Sequence, residues 1–247
     1  MVFSDSHCHL GGQQRERLAE MLGQARVHGV DIMVSMGITL ESSVETIRLA
    51  QSYQEVVAAI GIHPWYAVQP TDEVCRHLDE LARREYVVAI GEIGLDYARS
   101  AETKEIQREL LIYELSLARE TGLPVNIHCR EAHQDMMDIL RKEMGSGLKG
   151  AIHGFSGDQA ALEGWLALGF YISIGRRGFV IDEVPSLEAA VREIPADRLL
   201  TETDAVGQSS SPADVVSVVE KLAALRGTTG EEIANTTTAN LKRLLKL

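Results

Sequence analysis

The chain has 247 residues, three cysteines and a formal net charge of −12, from 24 Lys and Arg against 36 Asp and Glu. That length fits one large core, and a single domain over residues 1–247 is expected, the size usual for an eight-fold barrel of strands and helices. The acidic balance argues against an extended nucleic-acid surface built on clustered Lys and Arg, and no apolar run approaches the ~20 residues that span a bilayer.

The N-terminus carries Asp5 and His7 where a signal peptide needs a basic start and a long apolar stretch. Cys8, Cys75 and Cys129 are odd in number and lack C-x-x-C spacing, so neither a disulfide framework nor a zinc knuckle is suggested. A cytoplasmic location is expected, with no membrane partner and no obligate protein partner.

In chain order, Val2-Phe3 leads a first strand into Asp5-Ser6-His7-Cys8-His9. Residues two apart on a strand share a face, so His7 and His9 can reach one metal ion together, while Cys8 faces the layer between strands and helices. Leu18, Met21, Leu22 and Ala25 then recur at helical spacing before a stop at Gly29. Seven more apolar runs follow, at residues 31–36, 56–62, 86–90, 124–127, 148–152, 170–174 and 198–201. Segments of helical spacing separate them, for example Leu110, Leu111, Leu115, Leu117 and Ala118. Thr71-Asp72-Glu73 and Ser211-Pro212 read as helix starts, and Gly122 and Gly169 as stops. Strict alternation of strand and helix implies parallel strands with crossover helices. The expected class is α/β, a (β/α)8 TIM barrel, with an extra C-terminal helix from about Glu231.

Five of the eight histidines, His7, His9, His63, His128 and His153, end candidate strands, as do Glu92 and Asp204. His28 and His77 are assigned to the surface, and His133 to a helical segment. In a parallel barrel all C-terminal strand ends converge on one rim, so a set scattered in sequence becomes a cluster in space. Imidazole and carboxylate donors suit two borderline divalent ions such as Zn, Mn, Co or Ni. Two such ions activate water and stabilise the attacking and departing oxygens of a displacement, which fits phosphoester hydrolysis. Asp204 also reads as an N-cap of the following helix, and Arg176-Arg177 reads either as solvated loop charge or, with Arg130, as local cations of a phosphate pocket.

Six ordered motifs give the chain a closer likeness. They are the Asp5 to His9 start, Gly61-Ile62-His63-Pro64-Trp65, Gly91-Glu92-Ile93-Gly94-Leu95-Asp96-Tyr97, Ile127-His128-Cys129-Arg130, His153-Gly154-Phe155-Ser156-Gly157 and Glu202-Thr203-Asp204-Ala205. With the ending Thr238-Ala239-Asn240, they resemble the TatD family of metal-dependent deoxyribonucleases, within the amidohydrolase-type barrel hydrolases. The resemblance implies two divalent ions (Zn, Mn, Co, Ni or Mg). His7, His9, Glu92 and Asp204 would surround one, Glu92, His128 and His153 the other, with Glu92 bridging. It further implies that His63 faces the scissile phosphate and that Asp204 orients or deprotonates the attacking water.

Around that set, Glu202 is expected to orient a ligating histidine. Arg130 would contact a phosphate or hold a rim carboxylate, and Tyr97 and Trp65 would stack on a base or pack the rim. The expected substrate is a DNA end or small nucleotide, cut at a phosphodiester as a 3′-end exonuclease would. The alternative is an acyl substrate such as a lactone or aminoacyl-tRNA ester. A strand-four Glu92 in place of lysine disfavours cyclic amides. A non-catalytic metal-binding protein is the third reading, and the full ligand set argues against it. The chain departs from the family's usual pattern in the short loop after Asp204, in Gly154, and in Arg176-Arg177-Gly178-Phe179.

Overall fold

The computed structural model describes residues 1–143, 147–175, 185–207 and 209–247. Its strands are β1 (Phe3–Cys8), β2 (Val30–Met36), β3 (Val56–Ile60), β4 (Val87–Asp96), β5 (Val125–Arg130), β6 (Gly150–Ile152), β7 (Tyr171–Ile174) and β8 (Leu199–Thr201). The helices among the described residues are α1 (Arg15–Val27), α2 (Leu40–Ser52), α3 (Asp72–Ala82), α4 (Lys104–Thr121), α5 (His133–Glu143), α6 (Gln159–Ala167), α7 (Pro185–Glu193), α8 (Val215–Arg226) and α9 (Gly230–Leu245). The eight strands run in chain order in one sheet and alternate with helices, the (β/α)8 class. None of the helices among the described residues is long and apolar enough to cross a membrane.

The chain forms two compact units, Met1–Ser35 with His153–Leu247, and Met36–Ile152. In the first, β1 pairs β2 in parallel, Asp5 opposite Met33 and Cys8 opposite Ser35, and β7 pairs β8, Ile174 opposite Thr201. Helix α1 buries the expected face of Leu18, Met21, Leu22 and Ala25. Cys8 is fully buried, its Sγ 3.5 Å from the Val34 carbonyl. Helix α9 starts on a capping box between Thr229 and Glu232. Its buried polar residues bond backbone carbonyls packed beside it: Asn240 donates to the Ala196 and Leu199 carbonyls at 2.8 and 2.9 Å, and Thr238 to Val2 O at 3.3 Å. That gives a physical reason for the Thr-Ala-Asn ending.

In the second unit, β3 to β6 pair in parallel, with Ile60 opposite Ile90, Gly94 opposite His128 and Asn126 opposite Ala151. Its core is Ile60, Leu78, Ile90, Ile93, Leu111, Leu115, Ile127 and Leu140. Helix α2 is capped by Thr39 and Ser42, and α3 by Thr71 as expected. Helix α4 stops on Gly122 at φ +68°, a left-handed conformation that glycine adopts without strain. Strand β4 runs six residues beyond the apolar run ending at Ile90, through Glu92 to Asp96. Glycines 91 and 94 hide this extension from an apolar-run reading, yet they let β5 come close: a Cβ on Gly94 would lie 1.9 Å from His128 O.

Candidate active site

In the first unit, three donors meet at the end of β1. His7 and His9 point the same way, as their spacing requires, and their Nε2 atoms are 3.2 Å apart. Asp204 Oδ1 lies 3.3 Å from His9 Nε2 and 3.8 Å from His7 Nε2. The residues following β8 run beside β1: Asp204 N donates to His7 O and His9 N to Ala205 O, both at 2.9 Å. Those bonds hold Asp204 at φ +49°, so it is a bent rim residue rather than the cap of a helix. His153 stacks on His7, ring centroids 3.9 Å apart.

Burial opposes ionisation of Asp204, but the His9 hydrogen bond and the charges of His7, His153 and His9 outweigh it and hold the carboxyl below the usual carboxylate range. The donor set fits a cation by its own geometry. Tetrahedral ligands about 2.0–2.1 Å from an ion lie roughly 3.3 Å from one another, and His7, His9 and Asp204 supply two such separations.

Behind this cluster, Asp5 is a residue that sequence reasoning quoted only as part of a motif. Its buried carboxyl accepts from His7 N at 3.2 Å, from Thr203 N at 3.0 Å and from the Thr203 hydroxyl, tying the start of the histidine pair to the β8 loop. Burial pushes its pKa well up against those bonds. Its place two residues before His7, on the same strand face, was the available signal. Glu202 is fully buried; its Oε1 takes the Gly154 N–H at 2.7 Å and lies 3.6 Å from His153 Nδ1. Gly154 itself adopts φ +56°, in the left-handed region that favours glycine.

In the second unit, Glu92 Oε1 sits between two imidazoles, 3.2 Å from His63 Nε2 and 3.0 Å from His128 Nδ1. His63 begins the 3-10 turn Pro64–Tyr66, and its Nδ1 accepts the Trp65 N–H at 3.0 Å. The proton of a neutral His63 is therefore on Nε2, facing Glu92, and this nitrogen donates there. His128 Nε2 lies 3.0 Å from Asp96 Oδ2. Burial raises the Asp96 pKa, and the bonds from His128, Arg99 N–H and Trp65 overcome it, holding the carboxyl below the usual range. Glu92, His63 and His128 bring one carboxylate oxygen and two ring nitrogens close together, a donor set that also suits a divalent ion.

The remaining expected residues stand apart from these clusters or at their edges. Trp65 is 36% exposed, with its indole Nε1 donating to Asp96 Oδ2 at 2.7 Å and the Arg99 guanidinium 3.9 Å above its ring. Tyr97 donates its hydroxyl to Asp135 at 2.8 Å, Lys104 lies 4.2 Å over its ring, and burial with the Asp135 bond pushes the phenol up to about 12. Arg130 is exposed at the end of β5, His28 is exposed after α1, and His77 is half-buried on α3. Arg176, Arg177, Gly178 and Phe179 lie outside the described residues.

The family model described as TatD related DNase matches residues 4–246. The chain is 35% identical to an uncharacterized metal-dependent hydrolase, YabD, of Bacillus subtilis (strain 168), over the full length of both. It is 32% identical to the 3′-5′ ssDNA/RNA exonuclease TatD of Pectobacterium parmentieri (strain WPP163), covering 95% of this chain and 94% of that one. Its fold matches the crystal structure of YjjV, a TatD homologue from Escherichia coli K12, with a TM-score of 0.90 at 28% identity, covering 99% and 98% of the two chains. The clusters at the ends of β1, β4 and β5 and beyond β8 thus stand on a fold and a sequence that agree: the chain belongs to the TatD family of metal-dependent hydrolases.

Proposed function

We propose that this enzyme hydrolyses phosphodiester bonds at the 3′ ends of single-stranded DNA or RNA, with two divalent cations. His7, His9 and Asp204 would hold one, and Glu92 and His128 would contribute to the other. The observation that carries this reading is the pair of donor clusters, His7/His9/Asp204 and Glu92 with His63 and His128, each with imidazole and carboxylate atoms converging at ligand spacing. The exonuclease names of relatives at 32% identity support the substrate class.

Held by these residues, divalent cations would supply positive charge to the phosphate oxygens and acidify water. The protein's own groups do the rest. Asp204, ionised at any working pH, accepts the hydrogen bond of the attacking water and fixes its approach. His63, with its proton on Nε2, donates to a phosphate oxygen where negative charge develops. Trp65 offers an exposed indole edge for the terminal base. With net charge −12, the protein gains affinity from local contacts at a strand end rather than from a basic groove. Its three free thiols suit the cytoplasm.

The test is hydrolysis of an end-labelled single-stranded DNA oligonucleotide by metal-reconstituted protein, beside carboxylic esters, lactones and amides, with Glu92→Gln as the contamination control. Shortening of the strand from its 3′ end, lost in Glu92→Gln, supports the reading. Acyl hydrolysis alone, also lost in that variant, would assign the metal chemistry to an acyl substrate.

A further inference from the structure

Asp96 ends β4 with no solvent exposure, and both of its carboxylate oxygens are engaged. Oδ2 faces His128 Nε2 at 3.0 Å and takes the Trp65 indole N–H at 2.7 Å; Oδ1 takes the Arg99 backbone N–H at 2.9 Å. The residue is itself held from behind. Its N–H donates to Gln107 Oε1 at 2.8 Å, and Gln107 Nε2 returns a bond to Asp96 O at 3.2 Å and another to Ser100 O at 2.8 Å. One buried, multiply bonded carboxylate therefore touches a proposed cation ligand on one side and the Trp65–Arg99 pair on the other.

Each contact has a chemical consequence. Both ring nitrogens of His128 face a carboxylate at 3.0 Å, Nδ1 that of Glu92 and Nε2 that of Asp96; with a cation taken up on the Nδ1 side, shared with Glu92, the ring proton goes to Nε2, where Asp96 accepts it and fixes the ring. A carboxylate behind an imidazole also makes it a more basic ligand. On the other side, the exposed Arg99 guanidinium rests 3.9 Å over the indole. A planar cation stacked on a ring keeps its N–H edge free to meet a phosphate, and the stacking lowers the entropy lost on binding.

We propose that Asp96 is a positioning residue that couples cation binding at His128 to a phosphate anchor made by Arg99 on Trp65. The proposal rests on the reading of His128 as a ligand given above. It assigns Arg99 to a backbone phosphate of the substrate strand, a contact that neither the motif nor the composition pointed to. The same buried carboxylate thereby sets both the ligand's tautomer and the place of the substrate's charge.

The experiment measures Zn2+ affinity by competition with a chromogenic chelator, and steady-state kinetics on a single-stranded DNA oligonucleotide, for the wild type, Asp96→Asn, Arg99→Gln, Trp65→Phe and His128→Gln. Asp96→Asn is expected to weaken Zn2+ about 10–100-fold and to raise KM at saturating metal. Arg99→Gln is expected to raise KM with zinc affinity kept; Trp65→Phe, which also removes the indole N–H from Asp96, is expected to raise KM and to weaken Zn2+ in the same direction as Asp96→Asn but by less. Arg99→Gln should also flatten the salt dependence of binding by about one counterion. Nitrogen-15 spectra of the zinc-loaded wild type should place the His128 proton on Nε2, a readout that stands even if Asp96→Asn fails to fold. Wild-type zinc affinity in Asp96→Asn, or a proton on Nδ1, overturns the proposal. Wild-type zinc affinity in His128→Gln overturns instead the ligand reading beneath it.

Discussion

The Trp65 backbone N–H donates to His63 Nδ1 at 3.0 Å, and this leaves the His63 proton on Nε2, 3.2 Å from Glu92 Oε1. The tautomer is set by the turn that carries the residue: Pro64 lacks an N–H, and Trp65 supplies the first one available to the ring. His63 is a fixed donor at the edge of the Glu92 cluster. Replacing it with Ala should lower kcat about 10²–10³-fold, the usual loss for one preorganised donor. Bound metal per chain, measured by elemental analysis, should stay at the wild-type level. Loss of metal together with activity would make His63 a ligand.

Asp204→Asn separates charge from backbone. Asparagine tolerates the left-handed conformation that Asp204 adopts at φ +49°, so the fold should be kept. Activity should fall at least about 100-fold, and metal affinity should fall with it, because the amide cannot replace an anionic ligand. Wild-type turnover in this variant would remove Asp204 from the chemistry. Circular dichroism and metal analysis on the same sample separate these outcomes from misfolding.

Glu114 gives a pH dependence that is independent of the site's cations. It is buried on α4, where its Oε1 accepts the Ile62 N–H at 2.8 Å; burial pushes its pKa well above 4.5, against that one bond. The folded state thus holds this proton more tightly than the unfolded chain. Below pH 4.5 both states are protonated and the group has no effect; as pH rises from there toward the folded-state value, folding loses stability. Glu114→Gln keeps an acceptor for Ile62 and cannot ionise. Its melting temperature should match the wild type near pH 4 and exceed it increasingly toward pH 8. A constant difference across that range would contradict the account.

Gly94 faces the His128 backbone of β5 at close range. At φ +147°, with His128 O only 1.9 Å from where a Cβ would be, Gly94→Ala forces the strands apart at a proposed ligand. The expected loss is about 3 kcal/mol or more, measured by urea unfolding, and any folded fraction should bind metal weakly. A variant with wild-type stability would show that the β4–β5 spacing is different.

Much of this was legible in the sequence because it is periodic or local. The α1 face from Leu18 to Ala25, the stops at Gly29 and Gly122 and the cap at Thr71 follow from spacing and backbone preference, and the structure has them there. His7 and His9 converge because strand geometry leaves them no other arrangement. What was not legible depends on partners far apart in the chain. Asp96 gathers Trp65, Arg99 and His128 from three separate segments, and no spacing rule joins them. Tyr97 is engaged by Asp135 and Lys104, which its position after β4 does not reveal. The extension of β4 to Asp96 was hidden because Gly91 and Gly94 interrupt the apolar run that marks a strand.

The central claim is that two cations act together, and a metal titration of the apo-protein tests it most directly. Metal-free protein is titrated with Mn2+ or Zn2+ while cleavage of a single-stranded DNA oligonucleotide and bound metal are followed in parallel. The account predicts that activity rises until two equivalents are bound per chain, and that Glu92→Gln shows no such rise. Full activity at one equivalent, or activity that persists without added metal in the presence of a chelator, would contradict it.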